Sequence, residues 1–492
     1  MKKLYDLLEG IEFKLIHGSI SKYISIISYD TRKISKDSIF VAISGTTFNG
    51  HDFIVTAIEN GASVIIQEEE NSYFEDYPEV TFIQTENNRK ALAIISNNYY
   101  GKPAEHLKMI GITGTNGKTT TTFLIKNLFE SLGKKAAIIG TTGIYFGDEI
   151  IPATHTTPES LELFEILNNL KEKGAKWVIM EVSSHSLVQH RVYGINFQTA
   201  IFTNLTQDHL DYHNTMHEYA QAKKIMFDNL SKKSTAIIYD NSEWSKMMAQ
   251  DCKSENIIMV GRNDFDNGYI YDEICTLHST EFKLNYKEQI YHIKSKLIGR
   301  FNIENLANAF LSLISLGYNP EEIIKHLENA EGAPGRMTTI NLRNGAIGII
   351  DYSHTPDALE KALSTCGEII DNFGSQGKLI SVFGCGGNRD KTKRPIMGKI
   401  SSEIADISIV TNDNPRNENP SDIANDILKG IDSEFSANVH LVLDRAEAIK
   451  QAFKNSENGD IILVAGKGHE DYQIIGSEKL HFDDREELEK YI

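Results

Sequence analysis

Apolar positions along the chain fall into two rhythms. Short, nearly continuous apolar runs at 24–27, 39–43, 64–66 and 80–83 predict strands, and patterns at 57–60 and 89–99 predict helices. The next run, Leu107-Lys108-Met109-Ile110-Gly111-Ile112, leads into Thr113-Gly114-Thr115-Asn116-Gly117-Lys118-Thr119-Thr120. Beyond it Phe123, Leu124, Leu128, Phe129 and Leu132 recur at helical spacing, and Gly133 supplies a stop signal. Strand-like runs at 136–139, 177–180, 200–202 and 236–238 are separated by helical spans, and helical patterns follow at 306–316 and 320–327. Ala333-Pro334-Gly335-Arg336 punctuates the chain as a linker. After it come 347–350, 359–370, 379–383, 407–410, 439–443, 446–453 and 461–464, a second α/β set with its own core. Strands alternating with helices predict βαβ units and a mostly parallel sheet.

A length of 492 residues carries a prior of about three domains. The punctuation places them at 1–105, 106–333 and 334–492. The expected fold is α/β: a small N-terminal α/β domain, a central parallel-sheet domain built on a phosphate loop, and a C-terminal Rossmann-like α/β domain. With 40% hydrophobic and 24% charged residues the composition is that of a soluble globular protein. A net charge of −18 argues against a nucleic-acid-binding surface as the main business. The four cysteines are scattered without a Cys-x-x-Cys pair, as expected of reduced cytosolic thiols. The first residues are charged and form no apolar signal region, and no apolar stretch approaches the ~20 residues that span a bilayer. A cytoplasmic location is expected.

Candidate chemistry starts at the strand, glycine-rich turn and helix of 107–132. Small residues let backbone N–H groups close around phosphates, and the helix N-terminus adds a positive dipole. Lys118 can reach the β/γ-phosphates and Thr119 can take a place on Mg²⁺. The general phosphate-loop pattern wants Gly where Ile112 stands, so Gly114-Thr115-Asn116-Gly117-Lys118-Thr119 is a variant loop. Glu181 follows a buried run, where ligands of open α/β sheets bind, and can complete a Mg²⁺ site with Thr119; a solvated or helix-capping carboxylate is the plain alternative. Asn204 to His213 is dense in metal-ligand types, including Asp208 and His209. Tyr219 to Phe227 reads as a helix carrying Lys223 and Lys224, taken alone a solvated face. Asp30-Thr31-Arg32 and Gly45 to Asp52 read either as surface turns or as polar loops holding a sugar nucleotide.

With the phosphate loop, Glu181-Val182-Ser183-Ser184-His185, Asp208-His209 and Tyr219…Lys223 in this order, the chain resembles the Mur ligases, the ATP-dependent amino-acid ligases of peptidoglycan synthesis. Asp351 to Asp357, Phe383 to Asp390, Asp413-Asn414-Pro415-Arg416 and Ala465-Gly466-Lys467-Gly468-His469-Glu470 narrow the resemblance to the branch that adds the third residue of the peptide. It implies that residues 1–105 bind the UDP-muramoyl peptide, 106–333 bind ATP and 334–492 bind the amino acid. The implied reaction moves the ATP γ-phosphoryl group to the D-glutamate γ-carboxylate of UDP-N-acetylmuramoyl-L-alanyl-D-glutamate. The acyl phosphate is then attacked by the amine of meso-diaminopimelate. Lys118, Lys223, His209 and Glu181 are the implied catalytic residues. Two Mg²⁺ ions are implied, held by Thr119, Glu181, His209 and Lys223, the last carbamylated by CO₂. Carbamylation turns a cation of ordinary pKa about 10.4 into an oxygen-ligand anion. Lys224 is the adjacent candidate, and spacing to Tyr219 favours Lys223. A monomer without membrane or nucleic-acid partner is expected.

By the same match, Gly114 to Thr120 together with Asn302, Arg336 and Asp351 contact ATP, and Arg336 couples closure of the C-terminal domain to nucleotide binding. Thr31, Thr156, Thr157, Ser183, Gln189 and Arg191 hold the UDP-muramoyl dipeptide. Arg389, Asp413, Asn414, Pro415, Arg416, Gly466 and Glu470 form the diaminopimelate pocket. A planar guanidinium at Arg416 recognises a distal carboxylate bidentately, and Glu470 takes the distal ammonium. The position of Arg416 discriminates against L-lysine but not against lanthionine. Folylpolyglutamate synthetase is a further alternative, which residues 1–105 count against. Ser353, Thr338 and Tyr239-Asp240-Asn241 depart from the family pattern and remove no proposed catalytic group.

Overall fold

The computed structural model describes residues 1–45, 48–153, 155–206, 208, 210–276, 279–372 and 377–492. The chain folds as two compact units, residues 1–261 with 311–316 and residues 262–310 with 317–492. Among the described residues no helix is long and apolar enough to cross a membrane.

The first unit holds two main sheets. One is built from β1 (Phe13–His17), β2 (Ile26–Ser28), β3 (Ser38–Val41), β4 (Ala62–Gln67) and β5 (Thr81–Thr85), in the order β1-β5-β4-β3-β2. All its pairs are parallel except β1 with β5. The other contains β6 (Lys108–Thr113), β7 (Ala136–Gly140), β8 (Gly143–Phe146), β9 (Glu149–Ile151), β10 (Trp177–Glu181), β11 (Phe197–Phe202), β12 (Thr235–Asp240) and β13 (Asn256–Gly261). These run in the order β9-β8-β7-β10-β6-β11-β12-β13. β8 pairs antiparallel with β7 and β9, and the pairs from β7 through β13 are parallel.

Apart from Lys108 at the start of β6 and Gln198 in β11, the central strands β6, β10 and β11 are buried, which is why they read as mostly apolar runs rather than alternating ones. Gly111 sits in the middle of β6 because a Cβ there would lie 2.4 Å from Met226 Cε and 2.9 Å from the Phe197 ring. Register sets the site: Glu181 stands opposite Ile112 and Phe202 opposite Thr113. The carboxyl ends of β6, β10 and β11 are therefore level, where open α/β sheets bind ligands.

In the second unit β14 (Gly268–Cys275), β15 (Thr280–Tyr286) and β16 (Gln289–Ser295) form an antiparallel meander. A six-stranded sheet follows: β17 (Thr338–Asn341), β18 (Ile347–Asp351), β19 (Leu379–Phe383), β20 (Ile407–Val410), β21 (Val439–Leu441) and β22 (Ile461–Ala465), in the order β17-β18-β22-β19-β20-β21. Only β17 is antiparallel. The turns after β18, β19, β20 and β22 leave one edge of this sheet, and a hairpin of β23 (Tyr472–Ile475) and β24 (Glu478–His481) follows β22. A fully buried Arg445–Asp484 ion pair at 2.7 Å braces that edge, and Arg445 also donates to the carbonyls of Asn412 and Ala465. Helix bounds differ from the sequence reading by a few residues, as with Ile54–Glu59 and Arg300–Ser315.

Candidate active site

Local conformation creates the phosphate loop. Gly114 has φ +148 and Gly117 φ +84, and Gly117 caps the helix α1 (Lys118–Ser131). A Cβ on Gly114 would fall 1.9 Å from Thr203 Oγ1, so the loop lies directly on the end of β11. Asn204 pins it by accepting from Asn116 N at 2.9 Å, and Thr203 Oγ1 donates to Asn116 O at 2.6 Å. Thr119 and Thr120 are buried in the first turn of α1. Of the apolar face predicted for this helix, Phe123, Leu124, Leu128 and Phe129 are buried, while Leu132 is its half-exposed cap.

Lys118 Nζ donates to the carbonyls of Gly114 at 2.9 Å and Thr115 at 2.8 Å. From the helix α2 (Met216–Asp228), Lys223 Nζ donates to the same Gly114 carbonyl at 3.0 Å and lies 4.4 Å from the centre of the Tyr219 ring. Lys223 is fully enclosed. Burial first, and then the Lys118 charge, push its amine well below the ordinary lysine range, against the pull of Asp208. Two amines converging on one carbonyl favour a neutral form of the buried one. Lys224 points elsewhere, donating to Asp228 and to Gln250 O. His209 lies outside the described residues.

Glu181, 1% exposed, accepts from Thr141 N at 3.0 Å and from Thr141 Oγ1 at 3.1 Å. Gly140 leaves it room, since a Cβ there would stand 2.3 Å from Glu181 Oε1. Around this carboxylate the structure gathers five of the six residues assigned to the UDP-muramoyl dipeptide. Thr157 Oγ1 donates to Glu181 O and accepts from Ser183 N. Thr156 Oγ1 meets Thr141 Oγ1 at 3.0 Å. Arg191 donates to Thr157 O and to Gln189 Oε1, and pairs with Glu159 at 2.7 Å. Burial lowers the pKa of Arg191 from its ordinary value. Thr31 stands apart, in a turn capped by Asp30, where its carbonyl accepts from Asn60 Nδ2 at 3.0 Å. Thr141 and Glu159 were not singled out by sequence; both are ordinary residue types whose partners lie far along the chain.

The second unit carries the other candidates. Asp351 is held from two sides: Met337 N, just before β17, donates to Oδ2 at 2.9 Å, and Ser353 N and Oγ from its own turn donate to Oδ1. Ser353 thus gives Asp351 both a backbone and a hydroxyl donor. Arg336 lies 5.0 Å from the Tyr352 ring centre, and its Nε is buried with no hydrogen-bond partner among the described residues. Gly335, φ +66, packs on the turn after β22, because a Cβ would meet Gly468 C at 2.1 Å. Asn302, on the helix α3 (Arg300–Ser315), donates to Ile298 O and accepts from Asn305.

Arg389, Asp413, Asn414, Pro415, Arg416, Gly466 and Glu470 come from three turns at one sheet edge. Asn414 is the hub. Its Nδ2 donates to Glu470 Oε2 at 2.9 Å, and its carbonyl accepts from Gly387 N at 2.9 Å and from Arg416 Nη1 at 3.5 Å. Arg416 Nη1 also donates to Gly387 O at 2.9 Å. Gly386 admits the guanidinium, since a Cβ there would stand 3.0 Å from Arg416 Nη1. Arg416 itself has φ +53, held by main-chain bonds from Arg416 N to Ile474 O and from Gly476 N to Arg416 O. Asp413 Oδ1 is buried with no hydrogen-bond donor among the described residues, 3.4 Å from Lys467 Nζ. Burial raises the pKa of Glu470, aided by Asp413 and opposed by Asn414, Lys467 and Arg416. Arg389 is exposed, and its Nη1 donates to the Asn388 carbonyl at 3.4 Å.

Three family models match in chain order: the Mur ligase family catalytic domain at 23–100, the Mur ligase middle domain at 112–313 and the Mur ligase glutamate ligase domain at 335–468. The UDP-N-acetylmuramoyl-L-alanyl-D-glutamate–2,6-diaminopimelate ligase of Clostridium tetani is 42% identical over 100% of this chain and 99% of its own length. The chain belongs to the Mur ligase family. A solved structure of a ligase of that same name is 32% identical, with a TM-score of 0.73 over 100% of this Mur ligase and 99% of the other chain. Mycobacterium tuberculosis folylpolyglutamate synthase shares the fold alone, at 16% identity and a TM-score of 0.61, over 77% of this Mur ligase and 92% of its own chain.

Proposed function

We infer that this Mur ligase joins meso-2,6-diaminopimelate to the D-glutamate γ-carboxylate of UDP-N-acetylmuramoyl-L-alanyl-D-glutamate, using ATP, in peptidoglycan precursor synthesis. The observation that carries the choice of amino acid is the pairing of opposite charges across Asn414. The Arg416 guanidinium touches its carbonyl and the Glu470 carboxylate touches its amide. The far end of diaminopimelate offers one carboxylate and one ammonium, whereas that of lysine offers only an ammonium. Arg389 and Asp413 add a charge of each sign, and Pro415 and Gly466 shape the turns between them. A competition assay with meso-diaminopimelate, L-lysine and lanthionine tests this reading: exclusive or dominant incorporation of diaminopimelate is expected, and preference for lysine would overturn it.

Lys118 and the amides of Gly114 to Thr120 hold the β- and γ-phosphates as the γ-phosphoryl group passes to the γ-carboxylate, a step that depends on positioning and charge neutralisation. We assign Asn302, Arg336 and Asp351 to the nucleotide as well. Thr31, Thr156, Thr157, Ser183, Gln189 and Arg191 orient the UDP-dipeptide, and the amine of diaminopimelate then displaces phosphate from the acyl phosphate. Glu181, a buried carboxylate with a preset oxygen donor, suits a hard cation, as does the Thr119 hydroxyl. Lys223 suits one only after carbamylation, and its enclosed, proton-poor amine is the form that reacts with CO₂. Two Mg²⁺ ions held by Thr119, Glu181, His209 and carbamylated Lys223 would neutralise charge on the transferring phosphoryl group. We divide the chain into domains 1–105, 106–333 and 334–492 and place it in the cytoplasm as a monomer with no nucleic-acid or membrane partner.

Lys223→Ala is expected to be inactive and to recover in part with formate, which restores an oxygen ligand. ADP release assayed with and without formate checks this. Full activity without formate would remove Lys223 from the mechanism, and rescue at Lys224→Ala instead would move the role to its neighbour.

A further inference from the structure

We propose that Lys467 is a positioning residue for amino-acid selection: its buried ammonium group holds Asp413, Asn414 and Glu470 in one arrangement and locks the β23–β24 hairpin onto the loop that carries Arg416. The inference rests on the reading of this loop cluster as the amino-acid pocket.

Lys467 is 0% exposed, and its surroundings are polar. Its Nζ donates to Asn414 Oδ1 at 3.2 Å and to Tyr472 O at 2.5 Å. Asp413 Oδ1 stands 3.4 Å away and Glu470 Oε2 3.7 Å away. One cation thus joins the turn after β20, its own turn after β22 and the first residue of β23. The hairpin answers at two more points, with Ile474 N donating to Asn414 Oδ1 at 2.9 Å and Gln473 Nε2 to Asp413 O at 2.7 Å. Those bonds place Ile474 O to accept from Arg416 N, which sets the direction in which the guanidinium leaves a backbone at φ +53. With two carboxylates nearby and no path to water, the ammonium is a framework charge rather than a substrate contact.

A second consequence is electrostatic. Glu470 must be ionised to take an ammonium group. Facing it are Asp413 and Arg416 from the turn after β20, Lys467 from its own turn, Tyr352 from the turn after β18, Tyr472 from β23 and Arg445 from the helix Arg445–Asn455. Burial raises the Glu470 pKa and Lys467 pulls it down. Diaminopimelate use therefore falls as pH drops through the Glu470 pKa, and removing the Lys467 charge moves that fall to higher pH.

The test is steady-state kinetics across pH on Lys467→Gln, which keeps a donor, and Lys467→Met, which keeps the stem. The expected result is a rise in KM for diaminopimelate of about tenfold or more, with KM for ATP and UDP-dipeptide within about twofold of wild type. The acid limb of kcat/KM for diaminopimelate is expected to move to higher pH in both variants. A purely structural lysine would lower the amount of active enzyme equally at all pH values and leave the limb in place. An unmoved limb, an equal rise in all three KM values, or failure of both variants to fold would each overturn the proposal. Arg416→Ala run alongside separates the two readings: if it too leaves diaminopimelate use unchanged, the pocket assignment falls; if it alone impairs it, only the role of Lys467 falls.

Discussion

Lys118→Ala is expected to abolish ADP formation while the protein stays folded. The side chain is half-buried and donates to the carbonyls of Gly114 and Thr115. The loop conformation survives, because the glycine dihedrals and the Asn204 and Thr203 bonds hold it independently. What disappears is the cation aimed at the β/γ-phosphates. Deleting one preorganised charge-stabilising donor typically costs 10²–10³ in rate, and a full cation on a transferring phosphoryl group acts at or above that end, about 4 kcal/mol or more. The measurement is phosphate or ADP release with all three substrates present, beside a thermal melt. A well-folded variant that releases ADP at the wild-type rate would sink the assignment of residues 114–120 to the nucleotide.

Arg416→Ala is expected to lose diaminopimelate far more than either other substrate. The main-chain bonds that bind residue 416 to Ile474 and Gly476 do not depend on its side chain, so the loop keeps its place. Breaking one charge-assisted pair in a closed pocket costs ~2–5 kcal/mol, because the substrate carboxylate is left desolvated and unpaired. At about 1.36 kcal/mol per tenfold, the lower end is about thirtyfold in kcat/KM and the upper end is thousands. Lysine has no carboxylate to strand, so any residual lysine use should hold or rise. Measuring kcat/KM for both amino acids, wild type beside variant, decides the point. Equal losses would mean that Arg416 positions the turn rather than reads the substrate.

Some elements were legible because their cause is local. The mostly apolar runs of β6, β10 and β11 announce strands covered on both faces, and the turn between β6 and α1 announces a phosphate loop by its glycines. The meander β14–β16 was passed over even though β15, Thr-Glu-Phe-Lys-Leu-Asn-Tyr, alternates strictly and buries Phe282, Leu284 and Tyr286. Its signal is period two, weaker to the eye than a continuous run. The hairpin β23–β24 was missed for a harder reason. Its residues are mostly exposed or half-exposed, and its order is expressed in backbone bonds to Asn414 and Arg416, which leave no hydrophobic trace.

By itself the sequence determined the α/β class, the phosphate loop and the set of residue types available at each turn, since propensity, glycine placement and motif spacing act over a few residues. It also pointed to Gly466 and Glu470 while passing over Lys467 between them. Only the tertiary structure decided that Lys118 and Lys223 share the Gly114 carbonyl, that Arg191 is paired to Glu159, and that Lys467 stands under Asp413, Asn414 and Glu470. Those facts depend on strand register and on which turns meet at a sheet edge. Pairs such as Arg191–Glu159 and Lys467–Asp413 join positions tens of residues apart, so their effect on protonation and reach has no counterpart along the chain.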